Sequence, residues 1–230
     1  MSRYKNIFFD LDNTLWDFTA NARDTFNEIF SIFNLWNTIG SIDRFIEAFI
    51  FYNDELWDKY RKGQINKEVL RTERFRLTLK KLNIRSKDLS QLISNAYFEL
   101  MPQKTILMRH AHEVLEYLKT RYHLLILTNG FPEIQQAKIK NSGIDSYFDR
   151  VVTARDAGYK KPDSRIFGYA LTTINGRKSE AIMIGDDLQV DIEGAMKFGM
   201  DQVFFNRKMI SHNLPVTYEV KDIKELLHIF

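Results

Sequence analysis

Asp10 and Asp12 are the first residues along the chain whose type and spacing suggest chemistry. They follow the apolar run Ile7-Phe8-Phe9 and precede Asn13-Thr14. A short run of β-formers that ends in turn-formers reads as a buried strand, and residues two apart on a strand share a face. The two aspartates are therefore expected to point the same way where that strand ends. Carboxylates about 4 Å apart repel by about 4 kcal/mol at an effective dielectric of 20. A bound cation, a shared proton or a basic side chain has to offset that. The plainer reading is an Asx-turn in which Asp12 and Asn13 only cap the next helix.

Three later segments carry polar groups of the same kind: Thr128-Asn129-Gly130 and Gly185-Asp186-Asp187, with Asp191 beyond, just past apolar runs, and Lys160-Lys161-Pro162 in the loop that follows another. Each alone fits an ordinary turn, a solvated loop lysine or a helix cap. What joins them is their position among the elements. Leu124–Leu127, Arg150–Thr153, Ala181–Ile184 and Gln202–Phe205 read as strands. His112–Arg121, Pro132–Ser142, Ser164–Thr173 and Asp191–Phe198 read as helices between them, and a last strand and helix occupy Thr217–Phe230. Such alternation predicts a parallel α/β sheet, and a parallel sheet gathers all its carboxyl ends, hence all four segments, on one edge.

The stretch between the first strand and Thr105 has a different rhythm. Helical spacing runs through Trp16–Phe33, Ile42–Arg61, Asn66–Leu82 and Ser86–Leu100, with Asn66 and Ser86 as N-caps and turn-formers over Asn37–Ser41. This predicts a four-helix bundle inserted after the first strand. The expected organisation is a core domain of residues 1–15 and 105–230 and a helical domain of residues 16–104.

Composition narrows the possibilities. The chain of 230 residues is 44% hydrophobic and 27% charged, enough for a core and a soluble surface, and its net charge of +3 includes no basic block. It thus offers nothing for a nucleic-acid polymer or an anionic membrane. The absence of cysteine excludes disulfides, thiol catalysis and cysteine-ligated metals. No apolar run approaches the roughly 18 residues of a membrane helix, and Met1 to Asn6 lacks a signal-peptide pattern. A cytoplasmic protein is expected.

Three carboxylates, Asp10, Asp12 and Asp186, on one edge suit a hard, oxygen-seeking cation, Mg²⁺ above all. A hydroxyl, backbone N–H groups and a lysine beside them suit a phosphate. The combination points to phosphoryl transfer. In order and kind, these segments resemble the four motifs of the haloacid dehalogenase-like (HAD) hydrolase superfamily. The helical insertion matches its C1 cap, so the resemblance covers essentially the whole chain. It implies a three-layer, Rossmann-like α/β core with the four-helix-bundle cap inserted. Within the superfamily, the segment from Lys161-Pro162-Asp163 through Leu171 looks most like the pyrimidine 5′-nucleotidases.

The resemblance implies that Asp10 is a nucleophile forming an aspartyl-phosphate and Asp12 a general acid and base. Asp10, the Asp12 backbone carbonyl and Asp186 would hold Mg²⁺. Thr128 and the Asn129 backbone would grip phosphoryl oxygens, and Lys161 would neutralise developing charge. Asp187 or Asp191 would orient Lys161 or a metal-bound water, and Thr14 would support the first loop. The superfamily's dehalogenases lack the second aspartate, so Asp12 favours a phosphatase. The expected function is Mg²⁺-dependent hydrolysis of a small phosphorylated metabolite, foremost a nucleoside 5′-monophosphate. The alternatives are a phosphatase of sugar phosphates such as phosphoglycolate and a non-catalytic phosphate-binding module. Aromatics between Phe49 and Tyr60 read as bundle core, with base stacking by Trp57 or Tyr60 the other reading.

Overall fold

A computed structural model describes residues 3–230; Met1 and Ser2, on which the signal-peptide reading partly rests, lie outside the described residues. The chain divides into two compact units: the part up to Phe18 with Thr105–Phe230, and the inserted Thr19–Lys104. No helix of the described residues is long and apolar enough to cross a membrane.

The first unit is built on six strands, β1 (Asn6–Phe9), β2 (His123–Thr128), β3 (Arg150–Thr153), β4 (Ala181–Gly185), β5 (Asp201–Phe205) and β6 (Tyr218–Val220). All pair in parallel, in the order β3-β2-β1-β4-β5-β6. β1 and β4 are buried along their whole length, and their near-continuous apolar runs are what a sheet covered on both faces requires. Alternation splits the strand residues by face. Phe8, Leu125, Leu127 and Met183 join one core cluster with Ile166, Phe167, Ala170 and Ala195. Their strand neighbours Ile7, Phe9, Leu124, Ile126, Ile182 and Ile184 are equally buried. Each such side chain contributes about 1.5–3 kcal/mol. The fold is the expected α/β core, with helices on both sides of the sheet.

The helices of this unit are α6 (Ala111–Lys119), α7 (Pro132–Asn141), α8 (Ala154–Ala157), α9 (Ser164–Thr172), α10 (Gly194–Phe198) and α11 (Leu226–Ile229), numbered after five in the inserted unit. Two differ from the sequence expectation. α8 lies in a stretch read as loop, and a capping box between Thr153 and Asp156 nucleates it. The helix expected from Asp191 begins earlier, as a wide π turn over Leu188–Glu193 whose first N–H groups are capped by Asp187.

The inserted unit holds α1 (Phe18–Ile32), α2 (Trp36–Ile39), α3 (Ile42–Arg61), α4 (Lys67–Lys81) and α5 (Lys87–Leu100). The four long helices sit where the periodicity puts them; the short α2 occupies part of the stretch read as turn. Asn66 and Ser86 act as N-caps, accepting hydrogen bonds from the Val69 and Leu89 N–H groups at 2.9 and 3.2 Å. Phe26, Phe45, Phe49, Phe75 and Tyr97 form an aromatic core with ring centroids 4.7–5.4 Å apart. Trp57 and Tyr60 are only partly buried and meet edge to face at 5.6 Å. They lie outside that core.

Candidate active site

β1 and β4 are neighbours in the sheet although β2 and β3 lie between them in sequence. That is the switch point of an open α/β sheet, where strand ends leave a crevice. Register pairs Phe9 with both Ile126 and Ile184, so Asp10 leaves the sheet level with the end of β2 and of β4. Its N–H still donates to the Ile184 carbonyl at 2.9 Å. Carboxylate oxygens of Asp10, Asp186 and Asp191 lie within 4.8 Å of one another.

Lys161 is brought to this cluster by the loop before α9. Its ammonium donates to Asp10 Oδ1 at 2.7 Å, Asp191 Oδ1 at 2.7 Å and the Leu127 carbonyl at 2.6 Å. The side chain is 1% exposed. The loop is pinned by Asn129, whose amide donates to the Lys161 carbonyl and accepts from the Lys161 N–H, at 2.9 and 2.8 Å. Of the two carboxylates left open by the sequence, Asp191 touches Lys161, whereas Asp187 caps the π turn through the Gln189 and Val190 N–H groups at 3.0 Å.

Asp12 leaves the cluster. Its carboxylate accepts from Lys138 at 2.6 Å and from Gln135 at 2.9 Å, both on α7. Thr128 is buried, and its Oγ1 accepts from the Gly130 N–H at 3.0 Å and from Gln135 Nε2 at 2.8 Å. A hydroxyl has two acceptor lone pairs and one proton. With both lone pairs engaged, the Thr128 proton is available to an incoming anionic oxygen. Thr14 is fully buried, and its hydroxyl has no partner among the described residues.

Burial pushes Asp10 up to about 7, with Asp191 and Asp12 adding to the rise and Lys161 opposing it. Asp186 is raised well above the usual carboxylate range by burial and by Asp10, Asp191 and Asp187, with Lys208 opposing this weakly. Burial pulls Lys161 down, but Asp10 and Asp191 outweigh it and raise the group, keeping it an ammonium. Acids held above their normal range by burial first and then by each other are a site that a positive charge would relieve. An all-oxygen donor set of this kind fits a hard divalent cation.

The model of the haloacid dehalogenase-like hydrolase family matches residues 4–199. The chain belongs to that family. It is 30% identical to the pyrimidine 5′-nucleotidase PynA of Streptococcus pneumoniae, over 97% of this chain and 94% of that one. It is 28% identical to the pyrimidine 5′-nucleotidase YjjG of Escherichia coli, over 96% and 95%. The solved structure of the HAD-hydrolase YfnB from Bacillus subtilis, bound to magnesium, superposes with a TM-score of 0.89 at 26% identity and covers 99% of each chain.

In this haloacid dehalogenase-like hydrolase the sheet edge thus brings together Asp10, Asp186, Lys161, Thr128 and Asn129, and Asp12 stands beside them with its side chain turned to α7. Sequence reasoning did not single out Gln135 or Lys138. Spacing did not mark them: residues 135, 138 and 139 form the buried face of α7, and the polar side chains at two of these three inward positions read from sequence as surface.

Proposed function

We propose that this hydrolase is a Mg²⁺-dependent, cytoplasmic phosphatase of small phosphate monoesters, with a pyrimidine nucleoside 5′-monophosphate as its substrate. Phosphate would pass through Asp10 as an aspartyl-phosphate. The observation that carries the reading is the second aspartate on the strand edge. An alkoxide leaving group needs a proton, and Asp12 is a carboxyl group two residues from the nucleophile, partly open to solvent. The nucleotide part rests on the similarity to the two pyrimidine 5′-nucleotidases.

The chain's own residues divide the work as follows. An Asp10 oxygen attacks phosphorus, the bond to the ester oxygen breaks, and Asp12 gives its proton to that oxygen. Water then attacks the aspartyl-phosphate while Asp12 takes its proton, which frees phosphate and restores Asp10. Lys161 fixes the Asp10 carboxylate and carries positive charge beside it; the Thr128 hydroxyl and the Asn129 backbone hold phosphoryl oxygens. Asp10, the Asp12 carbonyl and Asp186 are the residues that would hold Mg²⁺, which when bound supplies charge neutralisation for the phosphoryl oxygens. The helical unit would be the cap domain of the resemblance.

The test is phosphate release from a panel of nucleoside monophosphates and sugar phosphates, with Mg²⁺ and with chelator. Metal-dependent release from UMP, dUMP or dTMP is expected. Release mainly from sugar phosphates keeps the mechanism and discards the nucleotide. No release from any ester, activated ones included, leaves a binding module.

A further inference from the structure

Three residues of α7 are buried at helical spacing, and the two polar ones both end on Asp12. Lys138, 4% exposed, donates to Asp12 Oδ1 at 2.6 Å and lies 4.1 Å above the fully buried ring of Trp16. Gln135, 1% exposed, donates from Nε2 to Asp12 Oδ2 at 2.9 Å and to Thr128 Oγ1 at 2.8 Å. An amide nitrogen has two hydrogens, so this one spends both. A carboxylate only accepts, which fixes the end of the amide that faces it. Gly130 makes room: a Cβ there would stand 2.4 Å from Gln135 Cδ and Nε2.

We infer that Gln135 and Lys138 are positioning residues for the acid–base carboxylate, one holding each oxygen of Asp12, and that Gln135 ties Asp12 to the Thr128 hydroxyl. The inference rests on the acid–base role proposed for Asp12. The terminal torsion of an aspartate is broad and soft, so a carboxylate left to itself presents its oxygens over a wide arc. Anchoring both oxygens removes that freedom. Each oxygen keeps a second lone pair, on which the proton for the leaving oxygen can ride. Thr128 gains as well, because the bond from Gln135 fills its last acceptor position and leaves its proton to be donated. Burying an ammonium is unfavourable unless it is paired, and Asp12 is the partner Lys138 has.

Lys138→Met should lower kcat for an alkyl phosphate on the order of 10–100-fold, by analogy with residues that orient metal ligands. For p-nitrophenyl phosphate, whose leaving group needs no acid, the loss should be under about threefold. Lys138→Arg should restore most of the difference. In an Asp12→Asn background Lys138→Met should add no further loss, because residues acting through one another are not additive. Gly130→Ala, which displaces Gln135 without removing a charge, should lower kcat more for the alkyl phosphate than for p-nitrophenyl phosphate, and serves if Lys138→Met does not fold. A smaller loss common to both esters is expected with it, because Thr128 also loses its bond from Gln135. Equal losses on both esters, or full additivity with Asp12→Asn, overturn the clamp while wild-type turnover still stands. Absence of wild-type turnover on both esters and on the nucleotide panel sinks the phosphatase reading itself.

Discussion

At the scale of single residues, Lys161 shows how fully the centre is committed. An ammonium has three donors, and all three are used, by Asp10, Asp191 and the Leu127 carbonyl. Lys161→Met would leave Asp10 and Asp191 buried without their counter-charge, and breaking a buried pair costs about 3–5 kcal/mol. A urea melt should register that loss together with the loss of turnover; an unchanged midpoint would mean the pair is not what holds these acids. Gly185 offers a gentler probe, since a Cβ there would lie 2.3 Å from Asp191 Oδ2. Gly185→Ala should displace Asp191 from Lys161 and lower kcat about 10–100-fold, with substrate affinity little changed. Asp10→Asn should remove turnover on the order of 10⁴–10⁶-fold, and substantial residual rate would sink the covalent role. Most of this centre was legible because Asp10, Asp12 and Asp186 are unusual residues to find at the ends of apolar runs, with Lys161 in the loop that follows another. The choice between Asp187 and Asp191 was not. Both follow β4, and only the π turn, which carries Asp191 back toward Lys161, separates a capping carboxylate from a charge partner.

Among the elements, α4 carries an arginine that its helical period does not explain. Arg74 is 4% exposed, lies within 5.0–5.7 Å of the ring centroids of Phe49, Phe75, Tyr97 and Phe98, and donates to Asn53 Oδ1 at 2.7 Å. Its Nε has no acceptor among the described residues. Burial pulls it down to about 10, still an ion at neutral pH. The aromatic faces offset part of the desolvation, and Asn53 supplies the hydrogen bond. Asn53→Leu would keep the volume and orphan the guanidinium, so the full-length protein should lose about 1–3 kcal/mol in denaturant unfolding. A loss within 0.5 kcal/mol would show that the rings alone suffice. Elements were readable wherever apolar spacing persisted, as in α1, α3, α4 and α5. α8 and α2 were not, because helices this short show little period; α8 rests on the capping box that Asp156 completes with Thr153, and α2 has no side-chain cap to read. Polar residues on a buried helix face, Arg74 here and Lys138 on α7, are read from spacing as surface. Their partners come from distant segments that only the fold brings close.

For the whole molecule, the sheet order matters more than any one motif. Placing β1 between β2 and β4 turns residues 10, 128, 161 and 186 into one site, and it also concentrates acids where water is scarce. Asp10 is pushed up to about 7 by burial first, and Asp186 rises for the same reason. The sign of the consequence follows from linkage. A carboxyl whose folded value exceeds its unfolded value of about 3.9 binds more protons in the native state, so its contribution to stability is complete below about pH 4 and is lost as pH rises through about 7. A divalent cation at these oxygens reverses the preference, because it binds the ionised forms and competes with protons. The thermal midpoint should therefore rise on adding Mg²⁺, and rise more at pH 8 than at pH 5. At a concentration a hundred times the dissociation constant the gain is about 2.7 kcal/mol. Asp186→Asn should abolish most of the increment while leaving Lys161 and its three partners in place. An increment equal at both pH values, or one that survives in Asp186→Asn, would mean that Mg²⁺ stabilises the chain somewhere other than this cluster.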